Sequence, residues 1–233
     1  AAGGAITYLD GGSYHPSATE MVIPLNISSD NVSDAVVNLE IDSGTVTISA
    51  GDDPGLITGT ITTGSAHHGP KQSFDLINET AVITLTQESS FLYDPLEKDD
   101  TWDLSLHQDI PVSLSVISGA GNVSVDAGRI PLSSLGIETG AGDISVNLTG
   151  WKGRHLGVSV EQGLGSITIL LPENATIHAD IENGLGSRVI SGLEGSDGDY
   201  IRHITGPDIP VISVSVMQGV GDLMIQTASQ VQS

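Results

Sequence analysis

The chain has 233 residues, no cysteine, only eight Phe, Trp and Tyr together, and seven Lys and Arg against 29 Asp and Glu, a formal charge of −22. This length suits one large β domain or two small ones, and the lack of Cys removes disulfides, thiolate chemistry and cysteine-ligated metals. The acidic balance argues against nucleic acid, which needs a basic footprint, and against anionic membrane surfaces.

Taken in order, Ala5 to Leu9 reads as a short strand within a Gly-, Ser- and Pro-containing start. From Glu20 to Leu25 and from Ala35 to Ile41, β-branched residues alternate with polar ones, the period of a half-buried strand. Ser43-Gly44 then turns into Thr45 to Ile48. Residues 51–70 read as a turn, a strand from Leu56 to Thr62, and a solvated loop around His67-His68. Ala81 to Leu85 is a further strand, and Glu88 to Asp103 is an acidic break. Trp102 to Leu106 resumes the alternation. No segment carries a capped 3.6-residue apolar period, so almost no helix is expected. With so few aromatics, the core is expected to consist of Val, Ile and Leu. Pro24, Pro131, Pro172 and Pro210 are placed near strand ends or corners, where a missing N–H is tolerated.

From Pro111 onward one phrase recurs: Gly119-Ala120-Gly121-Asn122, Gly140-Ala141-Gly142-Asp143, Gly163-Leu164-Gly165-Ser166, Gly184-Leu185-Gly186-Ser187 and Gly219-Val220-Gly221-Asp222. The first glycines lie 21, 23, 21 and 35 residues apart. Alternating apolar and small polar residues flank each copy, the fourth most weakly, with Arg188-Val189-Ile190. A fixed period of this size is the mark of stacked coils. The expected fold is therefore all-β: a single-stranded β-solenoid or β-roll with Gly-x-Gly corners at a period of about 21 residues. Residues 1–110 form an N-terminal β region continuous with it, 111–229 the regular repeats and 230–233 a tail. The glycines permit positive φ and close backbone approach where corner stacks on corner. The residue between them is expected to point inward, and the Asp, Asn or Ser that follows to bond neighbouring amides. The 14-residue excess before the last copy, near Gly192 to Pro210, reads as an insertion looped out from one face. Every copy leads into a strand, so none is a dinucleotide loop, which leads into a helix. The copies are also too widely spaced for a calcium-binding nonapeptide repeat.

Residues in catalytic or metal-binding patterns are sparse. No Gly-x-Ser-x-Gly elbow occurs, and His107, His155 and His178 lack metal-ligand spacing. Asp94, Glu97, Asp99, Asp100 and Asp103 offer oxygen donors to calcium. Without a glycine-bearing loop of fixed geometry they read first as a solvated charged face. No other metal and no cofactor is expected. Six of the eight Asn begin an Asn-x-Ser/Thr triplet: Asn26, Asn31, Asn78, Asn122, Asn147 and Asn174. Chance would supply about one or two, so they are candidate glycosylation sites. The chain begins at Ala1, which reads as a mature secreted chain or a fragment edge. No apolar run approaches the length of a membrane span.

Leu114 to Val125, Leu135 to Leu148 and Val158 to Pro172, with the lead-in Trp102 to Leu106 and Ile110 to Val112, resemble the toast-rack domains of prokaryotic envelope proteins. That family includes proteins named as adhesins and the C-terminal domain of cell-wall-antibiotic response regulators. The likeness spans roughly residues 35–228. It implies a β-roll without catalytic residues and an envelope location, and the sequon density would suit an archaeal envelope. Three functions compete. The first is a non-enzymatic extracellular protein, acting as a cell-surface structural, adhesin or filament-forming subunit. It would self-associate through the solenoid ends or the N-terminal strand, or bind a cell-surface polymer or glycan. The second is a sensory or regulatory ectodomain binding an envelope component, and the third a polysaccharide-active enzyme.

Overall fold

The computed structural model describes residues 21–63, 70–87 and 100–228. Strands hold 71% of them and none is helical. Most strands pair in parallel, and the arrangement is open rather than closed. The expected all-β class is met.

Two sheets face each other. The chain opens with β1 (Met21–Ile27), β2 (Asp34–Gly51), β3 (Ile57–Thr63), β4 (Lys71–Ile77), β5 (Thr80–Thr86) and β6 (Asp100–His107). Coils of two strands follow: β7 (Val112–Ala120) with β8 (Val123–Asp126), β9 (Leu132–Ala141) with β10 (Ile144–Asn147), and β11 (His155–Leu164) with β12 (Ile167–Pro172). The next coil is β13 (Thr176–Leu185) with β14 (Arg188–Ser191). After β15 (Glu194–Ser196) and β16 (Asp199–Arg202) comes the last, β17 (Val211–Val220) with β18 (Leu223–Ala228). The first sheet runs β4-β5-β2-β7-β9-β11-β17-β13-β16-β15. The second runs β1-β3-β6-β2-β8-β10-β12-β18-β14. Strand β2 belongs to both, because it bends at Gly44 and pairs before and after the bend.

Period-two alternation explains the core. Val37, Leu39 and Ile41 point inward before the bend of β2, and Val46 and Ile48 after it. Successive coils repeat the pattern in register, with Val123, Ile144, Ile167 and Leu223 in one buried row. Two aromatics join the aliphatics, contrary to the expected aliphatic core. Trp102 and Trp151 are among the largest fully buried side chains, and the Trp151 indole donates to the Leu132 carbonyl (3.1 Å). Pro24 also departs from expectation. It sits mid-strand in β1, which among the described residues pairs with β3 alone, and proline within a sheet is confined to such edge positions.

The second glycines form one column, in the order Gly44, Gly121, Gly142, Gly165, Gly221, Gly186. Each has positive φ, and a Cβ on Gly142 would lie 1.9 Å from the Gly121 carbonyl oxygen. The residue between the glycines does not point inward. Ala120, Leu164, Val220 and Leu185 are exposed. The inside of the corner is filled instead by amides two residues upstream of the central residue. Gln162 donates to the Gly142 carbonyl (2.7 Å), and Gln218 to the Gly165 carbonyl (2.7 Å) and to Gln162 Oε1 (2.9 Å). Asn183 donates to Gln218 Oε1 (2.6 Å). Outside the corner, Asn122 Oδ1 accepts from the Asp143 N–H, Asp143 Oδ1 from the Ser166 N–H, and Asp222 Oδ1 from the Ser187 N–H.

The long final interval is not a loop on one face. Residues after β14 form the β15–β16 hairpin, which pairs antiparallel with β13 and closes the first sheet. The chain then lays β17/β18 between β11/β12 and β13/β14. Copy four is thus the terminal coil. Its β14 is exposed or half-buried throughout, which accounts for its weak apolar pattern: an outermost strand has core on only one side.

Candidate functional site

A trough of about 940 Å³ lies on the outer face of the first sheet. Alternation builds its floor. When Leu114, Leu135, Val158 and Val214 face the core, their strand neighbours face out. In register these are Ser113, Ser134, Gly157 and Ser213 in one row, and Ser115, Gly136, Ser159 and Ser215 in the next. All are small, so the floor lies low. The following outward row is taller and mainly acidic: Glu40, Ile117, Glu138, Glu161, Met217 and Glu182. Toward the terminal coil the floor rows continue as His178 and Asp180 on β13, then Ile201 and Asp199 on β16, with Glu194 beyond. No Lys or Arg lines the trough.

The trough offers hydroxyls on a strand-spacing grid and carboxylate acceptors at one end. Ser213 is the register partner of His178, and Asp180 that of Asp199. Ser213 and His178 share no hydrogen bond. Among the described residues no group of three or more His, Asp or Glu is placed to hold a metal ion.

Of the calcium candidates, Asp100 and Asp103 lie within the described residues. Asp94, Glu97 and Asp99 lie outside the described residues, as do His67-His68, Ala5 to Leu9 and the tail 230–233. Asp100, at the start of β6, accepts from Gln87 Nε2 (2.8 Å), while Asp103 is exposed further along the strand. The six sequon asparagines are dispersed over the molecule. Asn26, Asn31, Asn78, Asn122 and Asn174 are exposed, and Asn147 is half-buried. Asn147 accepts from the Thr149 hydroxyl (2.8 Å) and donates to Asp126 (3.3 Å). Reading the sequence for chemistry missed the serine floor. Its signal was present as Ser at alternate positions, but Ser at outward strand positions is ordinary until registration aligns it. The Gln162–Gln218–Asn183 amide ladder was missed for the same reason. Among the described residues, no helix is long and apolar enough to cross a membrane.

The family model for the N-terminal domain of toast_rack matches residues 16–170. No curated protein matches the chain. A solved structure from Clostridium sporogenes ATCC 15579, named "putative cell adhesion protein", superposes with a TM-score of 0.81 at 20% identity, covering 90% of this chain and 99% of that one. A "putative adhesin" from Bacteroides fragilis NCTC 9343 covers 93% and 100% at 10% identity, with a TM-score of only 0.31. The Clostridium likeness bears on fold alone. The family match covers the larger part of the sequence and runs through the glycine-cornered coils, and the chain belongs to the toast-rack family.

Proposed function

We propose that this chain is a non-enzymatic, extracellular adhesin-like protein of the cell surface, built as a β-solenoid, whose trough holds a cell-surface glycan. The trough carries this reading. Its floor of serine hydroxyls and its terminal carboxylates can exchange hydrogen bonds with the hydroxyls of a saccharide chain lying across the strands. A long, open face suits a polymer better than an enclosed small molecule. The solenoid description is supported by the single glycine column and by register offsets of 21 residues between β8 and β10 and 23 between β10 and β12. The surface location is supported by the exposure of five sequon asparagines and by the name of the Clostridium neighbour.

The test is an array of envelope polysaccharides probed with the full chain and with Ser159→Trp, whose indole would fill the middle of the floor. Binding that falls at least about tenfold in the variant, about 1.4 kcal/mol, supports the trough. Binding indifferent to the substitution refutes it. Shortened oligosaccharides after incubation would place the chain among enzymes instead.

A further inference from the structure

The two sheets have four ends between them, and three are closed in the same way. At one end of the stack, β4 covers β5 in the first sheet, and β3 and β1 cover β6 in the second. At the other end β16 and β15 cover β13. Each closure begins with an antiparallel strand. The second sheet alone ends on a coil strand: β14 pairs with β18 and, among the described residues, with nothing else. The underlying core is thinnest there. Ile190 is only half-buried, whereas its row partner Ile225 is fully buried. Val189 and Leu185 are exposed, Leu185 at 71%.

The other outer strands are blunted against pairing. β1 carries Pro24, β15 has three residues and β4 starts at Lys71. β14 has no proline. Its one charge, Arg188, lies over the Tyr200 ring of the first-sheet hairpin, 5.9 Å from the centroid.

We propose that residues 5–9 of one copy add as a strand to the outer edge of β14 of the next copy, linking subunits head to tail. This goes beyond the glycan-binding reading and does not depend on it. Residues 1–20 precede β1 and include the alternating run Ala5-Ile6-Thr7-Tyr8-Leu9, which could cover the half-buried edge. Residues 229–233, Ser-Gln-Val-Gln-Ser, offer little apolar surface.

Distance favours a second copy over the same one. β1 and β14 are the first and last of nine strands in the second sheet. A strand added outside β14 lies nine spacings of about 4.8 Å from β1, about 43 Å. From Leu9 to Met21 is 12 residues, which span at most about 43 Å fully extended. Folding back would leave almost no slack through Gly11, Gly12 and Pro16. A neighbour stacked end to end imposes no such limit, and a head-to-tail contact of this kind does not close.

The absence of cysteine makes the test direct. Two donor variants, Ile6→Cys and Thr7→Cys, are each mixed with tagged Val189→Cys and oxidised. Alternate residues face opposite ways, so one donor must share the face of Val189. The work is done near 1 M salt, where the screening length is about 3 Å and the acidic subunits repel little. The expected result is a disulfide between tagged and untagged chains in one mixture. Sedimentation should also show oligomers of the full chain that become monomers when residues 1–20 are removed. Two results would overturn the proposal. One is no cross-linked product, with a monomeric full chain. The other is a disulfide formed only within a single chain, in the doubly substituted Ile6→Cys/Val189→Cys protein.

Discussion

Replacing Gly142 by Ala tests the glycine column most sharply. The new Cβ would sit 1.9 Å from the Gly121 carbonyl oxygen and 2.5 Å from its carbon, at φ +131°. Relief needs a shift of more than about 1 Å, since C···O contacts are comfortable only beyond about 3.3 Å. The coils cannot supply it cheaply. Gly121 N–H donates to the Ala141 carbonyl at 2.8 Å and Gly142 N–H to the Leu164 carbonyl at 2.9 Å, and the shift opens both. Two backbone bonds at about 1 kcal/mol each, with about 1–3 kcal/mol of backbone strain, give a loss of about 3–5 kcal/mol. That is a large part of the roughly 5–15 kcal/mol expected of a domain. Gly136→Ala is the control. It lies on the outer face with nothing within 4 Å of its Cβ position, so it should be neutral or up to about 1 kcal/mol stabilising through the unfolded chain. Urea denaturation followed by circular dichroism and Trp fluorescence measures both. A loss below about 1 kcal/mol for Gly142→Ala, or equal losses at the two sites, would refute the reasoning.

Gln218→Ala removes the partner of Asn183 Nδ2, Gln162 Oε1 and the Gly165 carbonyl together, and should cost about 2–4 kcal/mol in thermal or urea unfolding. Thr139→Val should do the reverse: its hydroxyl is buried without a partner, so stability should hold or rise by about 1 kcal/mol in the same assay. The Asp222 carboxyl is held below the ordinary carboxylate range, first by the Ser187 hydroxyl and then by the Ser187 backbone N–H, against slight desolvation. Its folded pKa is depressed, so its contribution to stability is present above the unfolded value of about 3.9 and is lost as pH falls through the lower folded value. Ser187→Ala should move the Asp222 carboxyl resonance in an NMR titration back toward ordinary acidity, and an unmoved midpoint would contradict the assignment.

Local pattern determined much of this protein. Period-two alternation at Ala35 to Ile41, or at Leu114 to Val116, dictates a strand with one buried face, because successive side chains point to opposite sides. The glycine pairs dictate corners, since a Cβ at Gly121 or Gly142 would collide with the coil beneath. Even the side-chain bonds of Asn122, Asp143 and Asp222 to neighbouring amides follow from short polar groups at a tight turn. Strand β4 was less legible, because its alternating residues are only half-buried and its apolar signal is correspondingly weak. What pattern could not determine was order in space. Coils of similar sequence are nearly interchangeable neighbours, so spacing alone suggests stacking in chain order. The tertiary structure places β17/β18 inside β13/β14, and β5/β6 outside β2. The reason is the ends: a terminal coil has core on one side only, so the weakest repeat goes outermost and a hairpin covers it. The trough was decided at the same level. Each serine on its floor is an ordinary outward residue of one strand, and only registration across four strands turns them into a surface.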